Sequence, residues 1–147
     1  GPVFAVRRVF HKMGRADYTD SKDGQEADTM YETIPVQDLD AWLEQGYRGR
    51  IIDLRDRDAY LRSHLYGAEH YPFGELWENP ALLEGEDPLL FYCARGSESM
   101  RACNLYSRRG RLVFNLGGGY RYYRGRYSVP GEREPRAGER ETVEAET

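Results

Sequence analysis

PLLFYCARGSES, at residues 88–99, is the most informative segment of the chain. Residues 88–93 form an uninterrupted apolar run after the polar turn EGED, and such a run is typical of a strand buried on both faces of a sheet. A polar loop around Gly96 follows it, and a helix is expected over 100–109. This order of elements indicates a strand within a parallel α/β sheet.

The segments on either side of this stretch alternate between strand and helix patterns. The predicted helices cover 36–43, 58–64 and 100–109, the predicted strands cover 50–54, 70–73, 88–93 and 112–116, and a mixed helix-turn segment covers 76–83. Alternation at this spacing predicts a three-layer α/β fold. Its central sheet is expected to be mostly parallel, with about five strands and helices on both faces.

Length and composition limit the chain to one domain. It has 147 residues, of which 39% are apolar, and a formal net charge of −4. Its two cysteines cannot form a disulfide framework. No run of apolar residues is long enough to span a membrane, and the first 30 residues lack the apolar block of a secretory signal. We therefore expect a cytoplasmic protein. We also expect it to be a monomer or a weak dimer.

The domain boundaries follow from polarity. The chain begins Gly1-Pro2, which is typical of the scar of a removed purification tag, and we expect 1–30 to be a polar, flexible arm. Residues 31–128 carry the folded pattern. Residues 129–147 are rich in Glu and Arg with almost nothing to bury, and we expect them to form a charged disordered tail.

Charge is divided unevenly along the folded part. Residues 31–87 hold thirteen acidic residues and five arginines, whereas residues 88–130 hold eight arginines and one acid, Glu98. The second half is therefore expected to form a basic face around the loop at 94–99. Such a face would attract an anionic small molecule or an acidic protein.

Cys93 is the candidate nucleophile. Sites in open α/β sheets form at the carboxyl ends of strands, and Cys93 ends the most apolar strand. The N–H groups of the following loop, together with the N-terminus of the next helix, would favour a bound anion and a reactive thiolate. Gly96 allows the loop to curl, while Arg95 and the hydroxyls of Ser97 and Ser99 offer further donors.

Three segments resemble the single-domain rhodaneses, a family of sulfurtransferases, and together they cover about 32–124. IIDLR at 51–55, with Tyr60 and HLYGA at 64–68, resembles the first motif of that family. The spacing of Cys93, Gly96 and Ser99 is similar to its active loop. LGGG at 116–119 followed by Tyr123 resembles its closing signature, in which Trp is usual at the position of Tyr123.

The resemblance implies a two-step sulfur exchange without a metal, an organic cofactor or a general base. Cys93 would take a sulfane sulfur from a small anionic donor, thiosulfate or a persulfide. The resulting persulfide would pass that sulfur to cyanide, to a thiol or to a sulfur-carrier protein. The loop residues expected to bind the substrate are Ala94, Arg95, Gly96, Ser97, Glu98 and Ser99.

Glu98 departs from the pattern, because the family often carries Arg at this position. An acid there would weaken the affinity for thiosulfate unless Arg95 compensates for it. The chain is therefore either a sulfurtransferase or a catalytically weak binding and regulatory module that docks a partner through its basic face. A phosphatase is disfavoured, because Ser99 stands where the Cys-x5-Arg signature needs its arginine, and Arg101 is expected to lie on the helix.

Other candidate residues have simpler interpretations. We expect Asp53 and Arg55 to form an ion pair at a strand end, and His64 to support a turn. Cys103 is expected to pack as a small apolar residue rather than to resolve a disulfide. His11, His64 and His70 show no zinc-site spacing with the cysteines, so we predict no metal site.

The segment YRYYRGRY at 120–127 alternates tyrosine and arginine. This composition occurs on nucleic-acid surfaces, where rings stack on bases and guanidinium groups meet phosphates. We favour instead a last helix of the domain with tyrosines facing the core, so nucleic acid is not the expected partner.

Overall fold

The computed structural model describes residues 31–131, which form a parallel sheet of five strands with helices on both faces and a separate pair of short strands. The strands are β1 (Glu32–Pro35), β2 (Arg50–Asp53), β3 (Ser63–Leu65), β4 (Ala68–His70), β5 (Leu89–Tyr92), β6 (Val113–Gly117) and β7 (Ser128–Pro130). The α-helices are α1 (Leu39–Glu44), α2 (Arg57–Arg62), α3 (Phe73–Glu78) and α4 (Ser97–Arg108). Short 3-10 helices cover Val36–Asp38, Pro80–Leu83 and Tyr120–Tyr122.

The predicted three-layer α/β fold is confirmed. The sheet order is β1-β6-β5-β2-β4, and every neighbouring pair in it is parallel. The apolar strand β5 is central, with Leu90 in register with Ile51 of β2 and with Phe114 of β6. Because all these strands run in one direction, the carboxyl ends of β2, β5 and β6 meet at one edge of the sheet.

Side chains of β5 alternate between two buried clusters. Leu90 and Tyr92 pack with residues of α1 on one face of the sheet. Leu89, Phe91 and Cys93 pack with residues of α4 on the other face. Each fully buried side chain of this size stabilises the folded state by roughly 1.5–3 kcal/mol relative to an exposed one. The uninterrupted apolar run at 88–93 is therefore explained by burial on both faces.

The structure corrects several predicted boundaries. The strand expected near 70–73 is β4, which ends at His70, because Pro72 precedes the first turn of α3. The helix expected over 58–64 ends at Arg62, and β3 follows it. The helix expected over 100–109 starts three residues earlier, at Ser97.

The folded unit also extends slightly beyond the boundary expected at residue 128. Strand β7 pairs with β3 in antiparallel fashion, and the Gly131 N–H donates to the carbonyl of Arg62. A strand of three residues gives too short a pattern to be recognised in the sequence. Residues 1–30 and 132–147 lie outside the described residues, so the polar arm and the charged tail stay predictions there.

Within residues 31–131, no helix combines the length and the apolar character that crossing a bilayer requires.

Candidate active site

Cys93 lies directly after β5 at the carboxyl edge of the sheet, and its side chain is almost completely buried at 2% exposure. Two backbone N–H groups donate to its sulfur: that of Gly96 at 3.0 Å and that of Ser99 at 3.3 Å. Donors that converge on one sulfur complement a negative charge there. The predicted position of Cys93 beneath a loop and a helix N-terminus is thus what the structure contains.

The geometry of the loop depends on Gly96. Its φ is +104°, in the left-handed region that glycine enters without steric cost, and it turns the chain directly into α4. Ser97, Glu98 and Ser99 therefore form the first turn of the helix, whose N–H groups have no acceptor within the helix. The Ser99 N–H meets the Cys93 sulfur instead.

A buried polar chain continues from the sulfur into the sheet. The Cys93 thiol lies 3.5 Å from the Ser99 hydroxyl, which lies 2.5 Å from Oδ1 of Asn115. Nδ2 of Asn115 in turn donates to the Thr33 hydroxyl of β1 at 3.3 Å. This chain of hydrogen bonds links Cys93 to β6 and β1 and fixes the orientation of Ser99.

Asn115 is a residue of the site that the sequence reasoning missed. It is in register with Phe91, so its side chain points to the α4 face, and only 1% of it is exposed. The sequence did contain a signal for this residue, because Asn115 is the one polar side chain in the apolar strand pattern VFNLG. A buried amide needs partners, and Asn115 finds them in the hydroxyls of Ser99 beside Cys93 and of Thr33 on β1.

The glycine turn after β6 packs against the active loop. The N–H of Tyr120 donates to the Cys93 carbonyl at 2.9 Å, and the N–H of Arg121 donates to the Ala94 carbonyl at 3.3 Å. A Cβ on Gly119 would overlap the Ala94 carbonyl, whereas a Cβ on Gly118 would meet nothing closer than 3.8 Å. Gly119 therefore permits the close approach that holds the loop in place.

Asp53 is the buried charge at this edge of the sheet, with 0% exposure. Its carboxylate accepts hydrogen bonds from the Tyr92 hydroxyl at 2.6 Å and from the Arg55 guanidinium at 2.7 Å. Burial, together with the charge of Asp53, raises the pKa of Tyr92 well above its usual value, so the hydroxyl keeps the proton that it donates. The expected ion pair is present, and it includes a tyrosine that was not expected.

Arg55 connects the hydrogen bonds of Asp53 to β3 and to the turn after β6. Burial lowers its pKa, but the hydrogen bond and the charge of Asp53 outweigh burial, so the net pKa is raised. The guanidinium also donates to the Ser63 carbonyl at 2.5 Å and lies 4.3 Å from the ring centroid of Tyr120. These contacts occupy Arg55 as a brace between β2, β3 and the turn after β6.

His64 lies in β3, where its contacts join α2 to that strand. Its ring stacks on Tyr60 at a centroid distance of 3.9 Å, and its Nδ1 lies 2.9 Å from the Tyr60 carbonyl. The supporting role of His64 stays a prediction, and these contacts are the ones through which it would act.

The side chains of Ala94, Arg95, Ser97 and Glu98 are exposed, whereas Gly96 and Ser99 are buried under the loop. Glu98 and Ala94 border an open cleft of about 460 Å³ between α2, α3 and the active loop. Arg62 and Phe73 line the other side of this cleft. Arg95 and Glu98 form no ion pair with each other in residues 31–131, so the compensation considered from the sequence is not made by direct contact.

Cys103 packs in the α4 side of the core, with 0% exposure and its thiol 3.4 Å from the Phe114 carbonyl. Burial, followed by the nearby Cys93, raises the pKa of this thiol well above its usual value. A protonated, inaccessible thiol is a poor nucleophile. Its surroundings are those of the small apolar residue that the sequence predicts.

Arg101 lies on α4, as expected, and turns away from the sulfur. Its guanidinium stacks over the rings of Trp77 and Phe73, at centroid distances of 4.6 and 5.2 Å. A cation in that position is not available to clamp a phosphoryl group at the loop.

The segment at 120–127 is not the predicted last helix. A single 3-10 turn at Tyr120–Tyr122 is followed by irregular chain with a bend and a turn at 125–127. Tyr123 is buried and donates to the Asp40 carboxylate at 2.5 Å, and this segment is held by such contacts with α1 rather than by helical hydrogen bonds. Its arginines are exposed, as expected for solvated side chains.

The described part of the chain contains no cluster of three or more His, Cys, Asp or Glu side chains that could hold a metal ion.

Comparison with known proteins gives one family. Residues 35–125 match the family model described as Rhodanese-like domain. A thiosulfate sulfurtransferase named GlpE, from Coxiella burnetii, is 32% identical over 93 residues, which cover 62% of this chain and 85% of that protein.

Two further similarities extend this result. A putative sulfur carrier protein named YrkF, from Bacillus subtilis, is 26% identical over 109 residues, covering 71% of this chain and 59% of that protein. The solution structure of a rhodanese-like domain from an Anabaena protein superposes with a TM-score of 0.57 at 26% identity, covering 71% of this chain and 84% of that structure.

The first prediction concerns the buried charge. Replacing Asp53 by Ala leaves the Arg55 guanidinium and the Tyr92 hydroxyl without their acceptor. We expect Asp53→Ala to lower the free energy of unfolding by about 3–5 kcal/mol in urea titrations. Glu86→Ala, at an exposed position before β5, is the control and should change it by less than about 0.5 kcal/mol. Equal stability of the two variants would contradict the role given to Asp53.

The second prediction compares two neighbouring glycines of positive φ. Both Gly118→Ala and Gly119→Ala place a side chain in the left-handed region, but only the second meets the Ala94 carbonyl. Gly119→Ala should therefore be less stable than Gly118→Ala by about 1–3 kcal/mol in the same urea titration. A smaller loss for Gly119→Ala than for Gly118→Ala would contradict the close approach described above.

Proposed function

The chain belongs to the family of rhodanese-like domains, and we propose that it is a sulfurtransferase that carries a sulfane sulfur on Cys93. The observation that carries this proposal is the pair of N–H donors from Gly96 and Ser99 aimed at one buried cysteine sulfur. The likeness to proteins named thiosulfate sulfurtransferase and sulfur carrier supports sulfur donors and acceptors as the substrate class.

In the first step, the Cys93 thiolate attacks the outer sulfur of the donor. With thiosulfate, a new S–S bond forms to Cys93, the donor's S–S bond breaks, and sulfite leaves with the electron pair. The product is a persulfide whose outer sulfur carries the negative charge. The N–H groups in the first turn of α4 complement that charge without any metal or general base.

In the second step, an acceptor attacks the outer sulfur of the persulfide. Cyanide would leave as thiocyanate, and a thiolate would leave as a new persulfide. The Cys93–sulfur bond breaks and the electron pair returns to Cys93, so the thiolate is regenerated. The side chains of Arg95, Ser97 and Glu98 are exposed, and we expect them to contact the incoming molecule rather than the sulfur of Cys93.

Glu98 favours a second candidate, a regulatory or binding module with little turnover. It places an acid in the first turn of α4, beside the cleft that leads away from the active loop. This charge opposes a dianionic donor such as thiosulfate. A persulfide donor, which carries less negative charge, would be opposed less.

Cys93 is predicted to be the one residue that takes up sulfur. After incubation with thiosulfate or with a low-molecular-weight persulfide, intact mass spectrometry should show a reducible gain of one sulfur atom, located on Cys93. Cys93→Ser should abolish both the gain and sulfur transfer while the fold is kept, and Cys103→Ser is the matched control that keeps both. Equal losses in the two variants would contradict a single nucleophile, and no gain from either donor would favour the binding module.

The charge of Glu98 is predicted to limit the use of thiosulfate. Glu98→Arg should lower the KM for thiosulfate about three- to tenfold, because it replaces a repelling charge with an attracting one. Glu86→Arg makes the same change in charge at the amino end of β5, on the opposite edge of the sheet, and should leave KM within twofold. If both variants lower KM equally, the effect is one of net charge and Glu98 has no local role.

A further inference from the structure

An exposed aromatic and basic surface lies between α3 and α4, next to the site but not part of it. We call it the α3–α4 face, and its residues are Trp77, Arg101, Asn104, Leu105 and Arg109. They line a groove of about 330 Å³ together with Arg108. Trp77 is 46% exposed, which is unusual for the largest apolar side chain of a domain.

Arg101 is held in place on this face, and it has no counter-ion within residues 31–131. Arg101 stacks on Trp77 and Phe73, and no carboxylate within residues 31–131 forms an ion pair with it, although Glu75, Glu78 and Glu98 belong to the same two helices. Stacking orders the guanidinium and leaves its N–H groups free to bind a carboxylate from outside.

The groove also offers apolar surface beside this cation. Trp77 is exposed and Leu105 is half-buried, and both line the groove with Arg101. The groove thus presents a stacked cation and the apolar surfaces of Trp77 and Leu105.

The position of the face connects it to the proposed chemistry. Helix α4 begins immediately after the active loop, and a helix rises about 1.5 Å per residue. Arg101 therefore lies roughly 6 Å along the axis from the start of α4, and Arg109 roughly 18 Å from it. A chain bound along this face would bring one of its own residues to the active loop.

We propose that the α3–α4 face docks an acidic segment, bearing one or more apolar side chains, of a protein that accepts sulfur from Cys93. The charge of the groove matches such a segment, since Arg101, Arg108 and Arg109 line it and none of its lining residues is acidic. The proposal rests on the proposed function. A thiolate of the docked protein attacks the outer sulfur of the Cys93 persulfide, the S–S bond breaks, and the electron pair returns to Cys93, with no net oxidation.

A synthetic peptide with the sequence Glu-Leu-Glu-Glu-Leu-Glu-Gly-Cys is the probe, and the same peptide with Lys in place of each Glu is its charge control. Binding to the full chain is followed by tryptophan fluorescence, because Trp77 is exposed and the other tryptophan, Trp42, is buried. Transfer from the persulfide-loaded chain to the peptide thiol is measured in parallel, with mercaptoethanol as the small acceptor.

Arg101→Glu should weaken binding of the acidic peptide and lower kcat/KM for transfer to it, each by about fivefold or more, and leave transfer to mercaptoethanol unchanged. Arg101→Gln should show a smaller loss of the same kind. Arg48→Glu, an equal charge reversal at an exposed site after α1, should leave both quantities within twofold.

Several results would overturn the proposal. The first is that Arg101→Glu and Arg48→Glu change peptide binding and transfer to the peptide equally. The second is that the Lys peptide binds as tightly as the Glu peptide, and the third is that single-stranded DNA displaces the Glu peptide. Tighter peptide binding after removal of residues 132–147 would assign the face to the acidic tail of the chain itself. If Cys93 takes up no sulfur, the proposed function fails, while the fluorescence titration still decides whether the face binds an acidic peptide.

Discussion

The site depends on the hydrogen bonds and the ion pair that the buried carboxylate of Asp53 forms. A charge with no exposure is stable only when hydrogen bonds and a counter-ion replace the lost water, and here Tyr92 and Arg55 supply both. Asp53 and Tyr92 are in register at the ends of β2 and β5, so satisfying the charge aligns these two strands. Cys93 is the next residue, and its position follows from that alignment.

The groups that surround the sulfur are mostly backbone groups. Gly96 and Ser99 donate through their N–H groups, and the turn at Gly119 holds the loop through carbonyl contacts. Asn115 adds one side chain, which orients Ser99. The side chains of Arg95 and Glu98, by contrast, are exposed. Under the proposed function, these two side chains would meet the approaching substrate, while the backbone groups would hold the sulfur.

Much of the fold was predictable, because burial on two faces leaves a continuous apolar run. That pattern identified β5, and the position of Cys93 at the end of the run, before a loop and a helix, marked it as the candidate nucleophile before the resemblance was considered. The missed features depend on contacts between distant segments. Strands β3 and β7 are three residues each and pair across more than 60 residues of chain, and Asn115 acquires its partners only when β6 lies beside β5. The early start of α4 depends on the φ of Gly96, which no periodicity reports.

Strand β5 ends at Tyr92 and Cys93 follows it, so two adjacent residues with different contacts lie at this point of the chain. Its pleat sends Tyr92 to the α1 side, where it binds Asp53, and sends Cys93 to the α4 side, where the loop amides receive its sulfur. The insertion or deletion of a single residue within β5 would exchange these destinations, presenting the thiol to the carboxylate and the phenol to the amides. In this chain the length of β5 is therefore more constrained than the identity of its side chains, because a change of length would displace both Tyr92 and Cys93.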